Sequence, residues 1–125
     1  MDAVGPRILV ADDDVAIRDI VVAVLAVEGY AVLTAADGWE ALSLACSQQL
    51  GLILIELNIP YLSGTDFCHL YREQDGTTPV ILLTADNPHD VTTAIEACGA
   101  VTYIPKPFDL DELLGTVARY LPPTH

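Results

Sequence analysis

Five short apolar runs, each followed by a segment with helical spacing, leave this chain very few folds to adopt. Ile8-Leu9-Val10-Ala11 is continuously apolar, as in a parallel strand covered on both faces. Residues 15–28 follow with Ile17, Ile20, Val21, Val24 and Leu25 at helical spacing, and Gly29 closes the segment. The other face of that helix carries Val22, Ala23 and Ala26, which fits either alanine's tolerance in helices or a docking surface. Tyr30 to Ala35 reads as a second strand, and the Asp37-Gly38 turn leads into a helix from Trp39 to Gln48. Leu52 to Glu56 is the third and most apolar strand; residues 59–65, with Pro60 and Gly64, form a loop before a helix from Asp66 to Glu73. Pro79 opens the strand Val80-Ile81-Leu82-Leu83-Thr84, and Pro88 suits the first turn of a helix that Gly99 ends. Thr102-Tyr103-Ile104 is the fifth strand, and the last helix aligns Leu110, Leu113, Leu114, Val117 and Leu121 on one stripe.

This (βα)5 alternation belongs to the α/β class, with a parallel sheet between two layers of helices. Right-handed crossovers favour a flavodoxin-like three-layer sandwich with strand order 2-1-3-4-5. With 125 residues, 52% of them hydrophobic, the expectation is a single domain over 1–125 with a sizeable core. The run Leu52-Ile53-Leu54-Ile55 is far shorter than the ~20 residues of a bilayer span. Residues 1–6 lack the basic start and apolar core of a signal peptide, so the expected location is cytoplasmic. The terminal Pro122-Pro123-Thr124-His125 reads as a chain end or as a boundary before an output domain.

Eighteen acidic residues against five basic ones give a net charge of −13. Nucleic acid needs a positive footprint and an anionic membrane surface needs the same, so neither is an expected partner. The charge suits basic protein partners, or simply solubility. Cys46, Cys68 and Cys98 include no CxxC pair and sit in apolar or helical stretches. They are expected to be small reduced core residues without a metal or redox role.

In open α/β sheets, sites form beyond the carboxyl ends of the strands. Those ends supply Asp12, Asp13 and Asp14 after the first strand, Glu56 and Asn58 at the third, Thr84 and Ala85 at the fourth, and Lys106 after the fifth. Singly, each has a bland reading: Asp14 as a helix N-cap, Thr84 as a strand-end hydroxyl, Lys106 as a surface charge. Together they form an acidic cluster. Two carboxylates ~5 Å apart repel by roughly 3 kcal/mol at an effective dielectric of 20. Converging carboxylates therefore call for Lys106, a hard divalent ion such as Mg2+, or raised carboxyl pKa values.

The segments Ile8-Leu9-Val10-Ala11-Asp12-Asp13-Asp14, Leu52-Ile53-Leu54-Ile55-Glu56-Leu57-Asn58-Ile59-Pro60, Leu82-Leu83-Thr84-Ala85 and Tyr103-Ile104-Pro105-Lys106-Pro107-Phe108 are ordered and spaced like the signature motifs of response-regulator receiver domains, which the chain resembles over nearly its whole length. The resemblance implies a CheY-like signalling module of a two-component phosphorelay, not an enzyme. It implies a Mg2+ site made by Asp12, Asp13, Glu56 and the backbone carbonyl of Asn58, holding the ion weakly or not at all. It assigns phosphoryl contact to Thr84 and Lys106, a switching rotamer to Tyr103, and a cis bond to Lys106-Pro107. Implied partners are a histidine kinase, a phosphotransfer protein or an output protein, with a homodimer as a further option. The surfaces it points to are the first helix and the face containing Val91, Ile95, Tyr103 and Arg119.

Position 56 departs from the family. Its acceptor is aspartate, and Glu56 carries the carboxylate ~1.5 Å further out, about one C–C bond. In-line transfer depends on placement, and an error near 1 Å can cost ~100-fold. Ordinary phosphoacceptance is therefore not expected. Two readings of Glu56 remain open: a permanent charge that biases the domain towards its active arrangement, or an inert ligand or ion-pair partner. A single carboxylate replaces only part of a phosphate's charge.

Three other classes compete. A haloacid-dehalogenase-like phosphatase would use Asp12 and Asp14 in an Asp-x-Asp motif, though Ala16 breaks its fifth position. A flavin or nucleotide module would need a phosphate-binding loop where Asp12-Asp13-Asp14 repels anions. A pure protein-interaction module would give the cluster no role at all. His69, His89 and His125 are dispersed and not expected to be catalytic; Ser63 and Asp66 could accept phosphate but lie beyond the site.

Overall fold

A computed structural model describes residues 7–122. The expectations placed on residues 1–6 and on Pro123, Thr124 and His125 lie outside the described residues. Ten elements alternate: β1 (Arg7–Ala11), α1 (Val15–Val27), β2 (Ala31–Ala35), α2 (Gly38–Ser47), β3 (Leu50–Glu56), α3 (Gly64–Glu73), β4 (Val80–Thr84), α4 (Pro88–Cys98), β5 (Thr102–Pro105) and α5 (Leu110–Tyr120). The strands form one parallel sheet in the order β2-β1-β3-β4-β5, the expected flavodoxin-like topology.

Because successive strand side chains point to opposite faces, the apolar runs of β1, β3 and β4 build two cores at once. Leu9, Ile53, Ile55 and Leu82 pack with Ala41, Phe67 and Val91 from α2, α3 and α4. Ile8, Val10, Leu52, Leu54, Ile81 and Leu83 pack with Val21 and Leu25 of α1 and Leu113 and Val117 of α5. Three layers result. Every helix begins at a polar cap that accepts backbone N–H groups: Asp14, Asp37, Ser63, Asn87 and Asp109. Each such cap is worth about 1 kcal/mol. Gly99 ends α4 in the left-handed region at φ 81, the conformation that made glycine the expected stop there.

Several boundaries move for local reasons. α3 starts at Gly64 rather than Asp66 because Ser63 Oγ accepts the Asp66 N–H at 3.1 Å, which places Gly64 and Thr65 inside the first turn. Tyr30 is not part of β2: its N–H bonds the Leu25 carbonyl and so closes α1. β3 begins at Leu50, beside Arg7 of β1, and β5 runs on to Pro105, opposite Thr84. Ile20 sits at a core-facing spacing yet is 50% exposed, and Val91, expected on a docking face, is fully buried under α4. Cys46, expected in the core, is exposed, whereas Cys68 and Cys98 are buried.

Candidate functional site at the strand ends

β1 and β3 are adjacent in the sheet, so the residues that leave them emerge side by side. Asp12 follows β1 directly and is fully buried. Its Oδ1 accepts the Asp14 N–H at 2.9 Å, and its Oδ2 accepts from Lys106 Nζ at 2.6 Å. Glu56 is the last residue of β3 and is buried beside it. Its Oε1 accepts from the same Lys106 Nζ, and its Oε2 accepts the Asn58 N–H at 3.2 Å. Thus each of the four carboxylate oxygens has a donor. Lys106 reaches them because its own N–H bonds the Thr84 carbonyl at 2.8 Å and fixes the end of β5. The Lys106-Pro107 bond is cis, as expected.

Burial is the largest influence on the Lys106 ammonium and pushes its pKa down. The hydrogen bonds and charges of Asp12 and Glu56 together outweigh burial and hold it above its ordinary value of 10.5. One cation thus reconciles two buried anions.

A second chain of bonds runs sideways from Glu56. The Asn58 side chain donates from Nδ2 to Asp86 Oδ1 at 3.1 Å, and the Asp86 N–H donates to Thr84 Oγ1 at 3.0 Å. Through Asn58 and Asp86, Glu56 is tied to the buried hydroxyl of Thr84. Sequence reasoning stopped at Ala85 and missed Asp86. The signal was there, since a carboxylate two residues past a strand-end threonine can turn its own N–H back onto the hydroxyl. Arg18 was missed too; it donates from α1 to the Asp12 carbonyl at 2.8 Å.

The remaining sequence candidates fall outside this network. Asp13 is exposed and makes none of these bonds. Asp14 caps α1, its Oδ1 accepting the N–H groups of Ala16 and Ile17, so an Asp-x-Asp phosphatase pair has its second member engaged elsewhere. Ser63 is engaged as the α3 cap, and His69 and His89 are exposed. Tyr103 is half-buried against the core on the α4 side of the sheet. It lines a cavity of about 420 Å³ with Pro105, Glu112, Gly115, Thr116 and Arg119. On the opposite flank, Ile17, Ile20, Lys106, Pro107, Phe108 and Leu110 line an apolar groove of about 260 Å³.

The donors at the strand ends are all oxygens, which suits a hard divalent cation. Among the described residues, however, no group of three or more acidic, histidine or cysteine side chains is gathered to hold a metal ion. The Lys106 ammonium already lies between the two buried carboxylates. Among the described residues, no helix is long and apolar enough to cross a membrane.

The response regulator receiver domain family matches residues 8–118. Sporulation initiation phosphotransferase F of Bacillus subtilis is 34% identical over 116 residues, covering 93% of this chain and 94% of that protein. Response regulator MprA of Mycolicibacterium vanbaalenii is 38% identical over 116 residues and 92% of this chain, which spans only 50% of MprA. Among solved structures, the receiver domain of the sensor histidine kinase PA1611 from Pseudomonas aeruginosa, with a magnesium ion coordinated in its active-site cleft, superposes with a TM-score of 0.85. It is 30% identical, and the match covers 93% of this chain and 97% of that one. On its sequence motifs, its strand order and this match, the chain belongs to the response regulator receiver domain family.

Proposed function

We propose that this chain is a receiver module of two-component signalling that works without phosphorylation, with Glu56 as a permanent charge where the family uses a reversible phosphoryl group. The observation that carries this reading is Lys106 Nζ bonded to both Asp12 and Glu56. An acceptor oxygen must be free and aligned with the incoming phosphorus; Glu56 Oε1 is bound to an ammonium, and its carboxylate stands ~1.5 Å further from the backbone than an aspartate's. A displacement of that size is worth ~100-fold in rate. Meanwhile the Glu56–Asn58–Asp86–Thr84 chain gives the carboxylate a mechanical hold on the switch hydroxyl. Charge at position 56 can thereby bias Thr84 by hydrogen bonds alone.

Mg2+, when bound, would be held by Asp12, Asp13, Glu56 and the Asn58 carbonyl, and would supply charge neutralisation to an incoming phosphoryl group. Lys106 competes for the first and third of these. Binding of the ion is therefore weak.

Receiver domains are signalling modules that interact with histidine kinases, phosphotransfer proteins or output domains, and are typically not enzymes themselves. This chain accordingly acts by binding a protein in the cytoplasm. The apolar groove along Ile17, Ile20 and Phe108 adjoins Lys106, so a partner seated there would sense the charge state of the site.

The conformational test is an amide NMR spectrum before and after adding acetyl phosphate with Mg2+. The parent is expected to keep its Thr84, Asp86 and Lys106 signals in place, whereas Glu56→Asp moves them. Movement of those signals in the parent would show a switch still driven by phosphate.

A further inference from the structure

Tyr61 combines two properties that seldom coincide. Its backbone lies in the left-handed region at φ 69, where a bulky side chain is strained and glycine is favoured. Its ring is 84% exposed, so packing inside the domain does little to offset that strain. The surrounding loop is pinned on both sides. Ile59 and Leu62 are buried, the Pro60 carbonyl accepts the Gly38 N–H at 3.1 Å, and the Gly64 N–H bonds the Leu57 carbonyl at 2.8 Å. Strain held in place by its surroundings points to a use for the side chain it presents.

The bond between Gly38 and Pro60 also fixes what stands beside it. Trp39 follows Gly38 and Tyr61 follows Pro60, so the fold brings the two backbones together at the start of α2. Trp39 is 53% exposed, and these two are the only exposed aromatic side chains among the described residues. Large apolar side chains gathered in water at one place suit a partner surface. They sit on the α2 and α3 layer, across the sheet from the groove beside Phe108.

Charge selects the occupant. Asp37 Oδ1 accepts the Glu40 N–H at 2.9 Å, and Glu40 Oε1 accepts the Ala36 N–H at 2.8 Å, so both carboxylates are held close to Trp39. The chain's own cations are placed elsewhere. Arg7 bonds Gln48, Arg18 the Asp12 carbonyl, Arg72 the Gly76 and Thr78 carbonyls, and Lys106 lies between Asp12 and Glu56. Arg119 is in the last turn of α5, away from the carboxyl ends of the strands. Aromatic faces with an anionic rim take a flat cation, because a guanidinium stacks on rings and bonds carboxylates through its edge.

We propose that Trp39 and Tyr61 form a docking site for an arginine-bearing segment of a basic protein partner, with the guanidinium seated on the aromatic rings and bonded to the carboxylates of Asp37 and Glu40. The inference does not rest on the role given to Glu56. It does reach the strand-end site, because the loop that presents Tyr61 also carries Asn58, whose side chain bonds Asp86. A partner seated on Tyr61 therefore holds that loop from outside.

Trp39 is the only tryptophan in the chain, so its emission reports on the site directly. Titrating the full chain at physiological salt with a short peptide of alternating glycine and arginine should shift that emission saturably. A matching peptide of glycine and leucine should not. Tyr61→Gly should weaken binding of the arginine peptide by about fivefold or more. Its urea midpoint should stay level or rise, because glycine accepts this backbone without strain; a merely structural Tyr61 would lower it. The inference is overturned if Tyr61→Gly binds the arginine peptide as tightly as the parent, which would mean diffuse attraction to the net charge of −13. It is equally overturned if the leucine peptide binds as tightly as the arginine one, if the urea midpoint of Tyr61→Gly falls, or if sedimentation shows a parent dimer that Tyr61→Gly dissolves, since a second copy would then cover the rings.

Discussion

Replacing Lys106 with methionine should remove much of the margin on which the folded protein stands. The Lys106, Asp12 and Glu56 side chains are only 12%, 0% and 11% exposed, so the variant leaves two buried carboxylates without their shared cation. At a separation of roughly 5 Å their repulsion is about 3 kcal/mol at an effective dielectric of 20. Removing one partner of a buried ion pair costs about 3–5 kcal/mol in general, and both routes give a similar figure. Small domains are stable by only about 5–15 kcal/mol. With a urea slope of roughly 1.5 kcal/mol per molar, the midpoint should fall by about 2–3 M, followed by far-UV circular dichroism. Adding Glu56→Gln to Lys106→Met removes one of the two charges and should recover about half of the loss or more. A single variant within 1 kcal/mol of the parent, or a double variant no better than the single one, would refute the idea that these three groups form one electrostatic unit.

Other consequences are narrower. A Cβ at Gly38 would lie 2.0 Å from the Leu62 carbonyl oxygen and 2.6 Å from its Cβ, so Gly38→Ala should cost more than about 3 kcal/mol in a urea titration. Gly115 meets nothing within 4 Å, and Gly115→Ala inside α5 should stabilise by about 0.5–1 kcal/mol. Tyr30 donates its hydroxyl to the Leu121 carbonyl at 2.6 Å, and Tyr30→Phe should cost about 1 kcal/mol at neutral pH. Burial first, and Glu28 second, raise the Tyr30 pKa above 10.0, and Lys106 is held above 10.5. Both groups are protonated more firmly in the folded state, so their contribution is complete below those values and is lost as pH rises through the folded ones. Stability should therefore fall in a pH series above about 10, and less steeply in Tyr30→Phe.

The topology was legible because the runs Ile8–Ala11, Leu52–Ile55 and Val80–Leu83 are apolar without interruption and turn-forming residues separate the elements. Strand order followed from handedness, and Asp12, Glu56, Thr84 and Lys106 followed from strand ends. What was not legible depended on which groups tertiary packing brings within bonding distance. Asp13 and Asp12 look equivalent in sequence, yet one is exposed and the other fully buried. Asp86 was readable as a loop carboxylate, but its bond to Asn58 joins two loops that only the sheet places together. The apolar pattern put Ile20 in the core, where the groove beside Phe108 leaves it half-exposed. Cys68 and Cys98 share one buried cluster only because α3 and α4 pack side by side on one face of the sheet.

The claim on which the account turns is that residue 56 carries a fixed charge instead of accepting a transferable group. Incubating parent and Glu56→Asp with labelled acetyl phosphate and Mg2+, then reading intact mass and acid- and hydroxylamine-labile label, tests it directly. The account predicts no stable phosphoryl group on the parent and clear labelling of the Glu56→Asp variant at that position; equal labelling of the two proteins at residue 56 would contradict it.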